Sequence, residues 1–296
     1  MALLEKFSSL ECPYARLEFI EGKTDLYTEF DWCDFYLGAA GGSLYQLRLF
    51  KKPALTFSML TNQITNQMLL DDIGHYFHLN DISSEDFPKI ARLMMTFLSQ
   101  QKRIKSLFSE SKISLDYLGA QRVTAFLING QLSSKIKIDE RNQEGQELSG
   151  GFLLRPVHDF DINHYLMSRN LPANRNNMLD TKPIEALDHY QWWFKTARRS
   201  FLLQKEQKPL LYIWDEIKTL DEQEYLIGGW FVCDATMSFQ DAMVALDWQL
   251  KKCAVDYPKA VWIAVISRQN KYVKLLNDYF GFKEIETSGR YNEVVR

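Results

Sequence analysis

The sequence predicts an α/β protein made of two successive α/β domains. Three observations carry this. The first half alternates short apolar runs with stretches of helical period. The second half runs strand, helix, helix, three strands, helix, strand, helix, two strands. Between them lies Ile136 to Gly151, IKIDERNQEGQELSGG, which is polar, charged and Gly-containing, as a domain boundary is. At 296 residues the chain is long enough for two ordinary domains.

In the first half, Ala15 to Ile20 alternates and predicts a strand, and Asp25 to Trp32 a short helix. Cys33 to Leu37 predicts a strand that runs into the turn Gly38-Ala39-Ala40-Gly41-Gly42-Ser43, with a helix from Leu44 to Phe50. Pro53 to Met59 and His75 to Leu79 are further strands, separated by a helix from Asn62 that Gly74 closes. Ser83 to Asp86 caps a long helical region reaching Gln101. Strands alternating with helices imply a parallel sheet. Glycines between a strand and a helix let the backbone approach a phosphate, and the helix start offers free N–H groups. Such a turn also serves packing alone.

In the second half, Gly151 to Pro156 predicts a strand and Asp159 to Arg169 a helix. The segment Asn174-Arg175-Asn176-Asn177-Met178 and then Lys182-Pro183-Ile184 lead to a helix over Glu185 to Ala197. Strands follow at Ser200 to Gln204, Pro209 to Ile217 and Tyr225 to Cys233, then a helix from Phe239 to Val255. Ala260 to Ile266 is an unbroken apolar run, which reads as a strand buried on both faces. Asn270 stands at the next helix start, Val273, Leu275, Leu276 and Phe280 follow at helical spacing, and Gly281 ends it. Phe282 to Glu286 and Tyr291 to Val295 close the chain as strands.

The formal charge of −3 gives no basic footprint for nucleic acid. No apolar run approaches membrane-spanning length, and the charged N-terminus does not read as a secretory signal. Cys12, Cys33, Cys233 and Cys253 form no CxxC pair and read as reduced thiols in a cytoplasmic protein. The five histidines form no HExxH and no Cys/His cluster, so nothing points to a metal. A homo-oligomer is compatible with all of this.

Two resemblances follow from these motifs. Over residues 151–296, the element order, the segment Asn174 to Met178, and Asn270 leading through a helix to Gly281-Phe282 resemble the GNAT acyltransferases, especially the N-acetyltransferases of pseudaminic acid biosynthesis. Over roughly residues 15–130, the Gly38–Ser43 turn, Lys52-Pro53 and the Asn62-Gln63 pair resemble the C-terminal, Rossmann-like half of GT-B nucleotide-sugar enzymes. The closer likeness there is to the UDP-sugar hydrolases of the same pathway. The resemblances imply a nucleotide-sugar-binding domain over residues 1–140 and an acetyltransferase-like domain over residues 151–296. The implied function is N-acetylation of an amino sugar or nucleotide-linked sugar with acetyl-CoA, in surface-polysaccharide biosynthesis. The alternative is a catalytically inactive fusion that binds a nucleotide sugar or a partner protein.

The resemblance also implies site residues. In the first half these are Gly38, Gly41, Gly42, Ser43, Gln46, Asn62 and Gln63, around a nucleotide. Gln46 stands where that family has a ribose-binding Glu. In the second half, backbone N–H groups of Trp230, Phe231 and Val232 would polarise the acyl carbonyl. The junction Met237, Ser238, Phe239, Gln240, Asp241 and Ala242 would face the CoA pyrophosphate. That junction lacks the family's glycines, and Asp241 would repel a pyrophosphate. Equally, Ser238 or Thr236 with Asp241 is good helix-start chemistry. Asn270 either binds the pantetheine or caps its helix. Asn277 stands where the family often has a Tyr that protonates the leaving thiolate. Tyr279, two residues on, faces elsewhere on a helix and substitutes only if the helix shifts. His189 reads as a substrate contact or base, or as a packed residue beside Trp192 and Trp193.

Overall fold

The computed structural model describes residues 16, 18–63, 67–130, 144–178, 180–220, 222–234, 237–267, 270–288 and 291–295. In chain order the elements are α1 (Tyr27–Trp32), β1 (Tyr36–Ala39), α2 (Gly42–Leu49), β2 (Ala54–Phe57), α3 (Gln67–Asp72), β3 (Phe77–Leu79), α4 (Phe87–Ser99), α5 (Gln101–Ser109) and α6 (Gly119–Asn129). Then come β4 (Gln146–Leu148), β5 (Phe152–Pro156), α7 (Ile162–Arg169), α8 (Pro172–Arg175), α9 (Ala186–Trp193), β6 (Arg199–Lys205), β7 (Lys208–Leu220) and β8 (Gln223–Val232). The chain ends with α10 (Phe239–Asp256), β9 (Val261–Ser267), α11 (Lys271–Tyr279), β10 (Lys283–Ser288) and β11 (Tyr291–Val295). They divide into two compact units, residues 1–142 with 186–194, and residues 143–185 with 195–296.

The first unit holds a parallel sheet in the order β1-β2-β3. Its core is aromatic. Phe77 sits between Phe97, with ring centroids 4.5 Å apart, and Tyr190, 5.0 Å away edge-on. Phe194 meets Phe97 edge-on at 5.6 Å. These contacts hold α9 in the first unit, although its position in the sequence suggests the second half. A few aromatic pairs, each contributing about 0.5–1.5 kcal/mol beyond burial, outweigh sequence neighbourhood. Glu18 to Ile20 lies outside any strand, contrary to the alternation expected there. Its side chains are exposed, so no partner strand rewards the extended form.

The second unit holds an eight-stranded sheet in the order β10-β11-β9-β8-β7-β6-β5-β4. All neighbours are antiparallel except β8 and β9, which are parallel. Gln146 to Leu148, expected within a linker, instead forms the edge strand β4 against β5. The turn between them is made by Gly150 and Gly151 at φ of +80° and +77°, the left-handed region that glycine enters without steric cost. The face of the sheet under α10 is packed by Leu226, Leu246, Leu250, Cys253, Trp262, Ile266 and Leu276.

One difference from expectation positions the site. The run Val261 to Ser267 is not buried on both faces, and Val265 is 39% exposed. The cause is topological. β8 pairs with β9 only from Tyr225 to Ile227, against Val261 to Ile263. Beyond Ile263 the two strands diverge, and β9 turns one side to open space.

Candidate functional site: a cleft between diverging strands

A cavity of about 400 Å³ fills the divergence of β8 and β9. Its walls include Gly228, Trp230 and Val232 of β8, Ala264 to Ser267 of β9, Phe239 and Gln249 of α10, and Tyr272 and Asn277 of α11. The wall on β8 is a peptide edge. Cys233 N–H donates to Leu210 O of β7 at 2.9 Å. Backbone direction alternates along a strand, so Val232, Trp230 and Gly228 point their N–H and C=O groups the other way, toward β9. Val232 already has a partner there. Its N–H donates to Asn174 Oδ1 at 3.0 Å, and its C=O accepts from Asn174 Nδ2 at 2.8 Å. The buried Asn174 amide thus acts as one more strand residue. Of the expected carbonyl-polarising groups, Val232 is committed to Asn174 and Phe231 turns away, its ring against Tyr165 and Tyr212. Trp230 remains, opposite the place where β9 has left.

The expected junction is a capped helix start. Ser238 Oγ accepts from Asp241 N–H at 3.2 Å, and Asp241 Oδ2 accepts from Ser238 N–H at 2.8 Å. This reciprocal box leaves the N–H groups of Phe239 and Gln240 in the first turn. Met237 and Phe239 line the cavity, Gln240 is exposed, and Ala242 is fully buried in the core. Thr236 lies outside the described residues. Asn270 caps α11, with Oδ1 accepting from Val273 N–H at 3.1 Å, and also lines the cavity.

Asn277 lines the cavity too, but its Nδ2 donates to Val273 O at 2.8 Å. Tyr279 is 70% exposed and is not among the lining residues. His189 belongs to the first unit, buried against Tyr190, Trp192 and Trp193. The structure therefore brings together Trp230, Val232, Met237, Phe239, Asn270 and Asn277.

The titratable group that sequence reasoning missed is Tyr272. It lines the cavity, with its ring edge-on to Phe239 at 5.1 Å and to Trp230 at 6.4 Å. Partial burial, together with the nearby Asp241 carboxylate, raises its phenol above the ordinary value. It therefore keeps its proton at neutral pH. No motif marks it; only its place on the second residue of a capped helix beside the cleft could have. Asp234, at the cavity wall and 3.0 Å from Lys208 Nζ, is the carboxylate among the described lining residues.

In the first unit, Gly38 lies within β1, and a Cβ there would collide with the Tyr36 hydroxyl. Gly41 and Gly42 open α2 with open space around them, and Gln46 is half-buried. Asn62 is exposed, while Gln63 Oε1 accepts from Met59 N–H at 2.8 Å and closes its own turn. Beside them runs a buried chain that the sequence did not announce. Thr56 Oγ1 is 2.7 Å from His75 Nε2 and 2.9 Å from His78 Nδ1, and His78 Nε2 is 3.1 Å from Ser58 Oγ. Burial, with His78 and Arg48 nearby, pushes His75 down to about 3. Among the described residues no group of three or more His, Cys, Asp or Glu could hold a metal ion. No described helix is long and apolar enough to cross a membrane.

No family model matches the sequence, and no curated protein matches it. Three solved structures illustrate what half of the chain resembles. A domain from Methanocaldococcus jannaschii DSM 2661 is 16% identical, covers 49% of this chain and 97% of its own, at a TM-score of 0.43. An N-acetyltransferase from Staphylococcus aureus Mu50 is 12% identical over 49% and 95%, at 0.40. An aminoglycoside acetyltransferase solved with coenzyme A is 11% identical over 49% and 94%, at 0.41. Likenesses of this size carry nothing about what the present chain binds.

Proposed function

We propose that the second unit is a GNAT-type acyltransferase that takes an acyl-CoA such as acetyl-CoA and an amine-bearing acceptor, with the cleft as its site. The observation that carries this is the departure of β9 from β8 after Ile263, which leaves the Trp230 peptide facing a cavity of about 400 Å³. A strand edge without its partner suits an extended amide-containing arm, which can hydrogen-bond to it as a strand does. The described lining, mostly apolar with several amides and hydroxyls, suits the same arm.

Coenzyme A supplies the acyl group as an activated thioester. Trp230 N–H is the donor placed to hold the acyl carbonyl oxygen, and such a pre-set donor is worth about 2.7–4 kcal/mol where charge develops. Tyr272 holds the proton for the departing sulfur. Asp234 draws an ammonium acceptor toward the cleft. The start of α10 fits the pyrophosphate less well, since two N–H groups face it while the Asp241 carboxylate opposes it. The first unit, by its Gly41-Gly42 turn with Gln46 and Asn62, is proposed as a nucleotide-sugar-binding half related to GT-B enzymes. On this reading the acceptor is an amino sugar or nucleotide-linked sugar of polysaccharide or nonulosonic acid biosynthesis. Asp241 supports a second reading, in which the chain binds a nucleotide sugar or partner protein without turnover.

Calorimetry and thermal unfolding with acetyl-CoA test the first reading. A ligand that binds only the native state must raise the melting temperature. No heat and no shift at millimolar acetyl-CoA would leave the second reading standing.

A further inference from the structure

The floor of the cleft carries a polar atom that the fold does not use. Gln249 of α10 is 1% exposed and lines the cavity. Its Nε2 donates to Trp214 O at 2.8 Å, which fixes the plane of the amide. Its Oε1 is buried and has no hydrogen-bond partner among the described residues. Leaving such an acceptor unpaired costs about 1–3 kcal/mol. The bond from Nε2 to Trp214 O serves the fold, whereas Oε1 gains a partner only if something in the cavity donates to it.

Its position says which part of a ligand reaches it. A Cβ on Gly228 would stand 3.0 Å from Gln249 Nε2, 2.7 Å from the Trp262 ring and 3.1 Å from Trp214 O. The amide thus lies over Gly228, at the apex where β8 and β9 begin to part. Trp230, whose N–H faces the cleft, is two residues further along β8, or about 6.6 Å at strand spacing. An acyl carbonyl on Trp230 N–H leaves this depth to its own chain. The methyl group of an acetyl is too short to fill it. A hydroxyl on the third carbon extends about 3.5 Å from the carbonyl carbon, and one hydrogen bond of about 2.8 Å spans the rest. Trp214, Trp262 and Leu246 line the same floor and suit the carbons between.

We propose that Gln249 selects the acyl group, and that the preferred donor carries a short acyl chain with a hydroxyl on its third carbon. This rests on the thioester reading of the cleft. Gln249 Oε1 accepts the hydroxyl proton, while Gly228 keeps the floor low enough for the amide to sit there.

Calorimetry decides it with butyryl-CoA and each enantiomer of 3-hydroxybutyryl-CoA as probes, and needs no acceptor. The wild-type protein should bind one hydroxyacyl enantiomer about tenfold more tightly than butyryl-CoA. Gln249→Met, of similar length, should lose that preference while still binding butyryl-CoA. If loss of the bond to Trp214 O unfolds the variant, the wild-type ratio decides alone. Equal wild-type affinities for the three probes would mean that water satisfies Oε1, and the proposal falls while the thioester reading stands. Binding of none of them sinks the thioester reading itself.

Discussion

Two polar clusters, one in each unit, are handled differently. In the first unit the cluster is turned mostly on itself, although His75 Nδ1 has no partner among the described residues. His75, Thr56, His78 and Ser58 form one chain, and Arg48 donates to Ile73 O and Phe108 O at 2.6 and 2.7 Å. In the second, the cleft presents the Trp230 peptide edge, beyond the reach of the β8–β9 pairing, and Gln249 Oε1, which has no partner among the described residues. A polar chain closed on itself stabilises a fold, whereas polar groups left open at a cavity wall cost stability and await a ligand. Burial alone does not separate the two, since His75 and Gln249 are both buried.

The largest effect should come from the open side. Tyr272→Phe removes the acid and keeps the ring against Phe239, so turnover should fall by about 10²–10⁴ while acyl-CoA affinity stays the same. Steady-state kinetics with any accepted amine show this split. An unchanged kcat would remove Tyr272 from the chemistry.

Acid should break the closed side next. His75 is held neutral, its folded value of about 3 lying below the unfolded 6.5. Between those values the unfolded state binds the extra proton. The neutral ring's contribution is therefore complete above pH 6.5 and declines as pH falls toward 3, by about 1.4 kcal/mol per pH unit. Amide exchange of β2 and β3 followed from pH 7 to 4.5 should show this slope, and His75→Phe should flatten it. A slope that survives the substitution belongs to another group.

Gly228→Ala sharpens the comparison by filling the apex. The added methyl meets Trp262 and the Trp214 carbonyl, and overpacking of this kind costs about 1–3 kcal/mol. The second unit's melting temperature should drop, whereas Gly42→Ala, inside α2 with open space around it, should not lower the first unit's.

The smallest effect is at α10. Asp241→Asn keeps an acceptor for Ser238 N–H and removes the charge. CoA should bind more tightly by the worth of one charge at a helix end, about 0.3–1 kcal/mol. Asp241→Gly would also restore the glycine but would open the capping box, so Asn isolates the electrostatic part. Calorimetry at low ionic strength reads the difference, and unchanged affinity would mean that the α10 start does not meet the pyrophosphate.

What the chain determined by itself is local. Apolar period placed most of the strands and helices, though not α5, α6 or β4, because burying one face of an element needs only its own spacing. Asn270 announced a helix start because its partner, Val273 N–H, is three residues away. The Ser238–Asp241 box was legible for the same reason. Tertiary structure decided the rest. Tyr190 and Phe194 draw α9 into the first unit through Phe77 and Phe97, about a hundred residues earlier. The parting of β8 from β9, the Asn174 amide that takes the edge of Val232, and the orphan oxygen of Gln249 arise between segments distant in sequence. No periodicity or motif encodes them. Tyr272 and Gln249 read as an ordinary helix tyrosine and an ordinary helix glutamine until the sheet opens beside them.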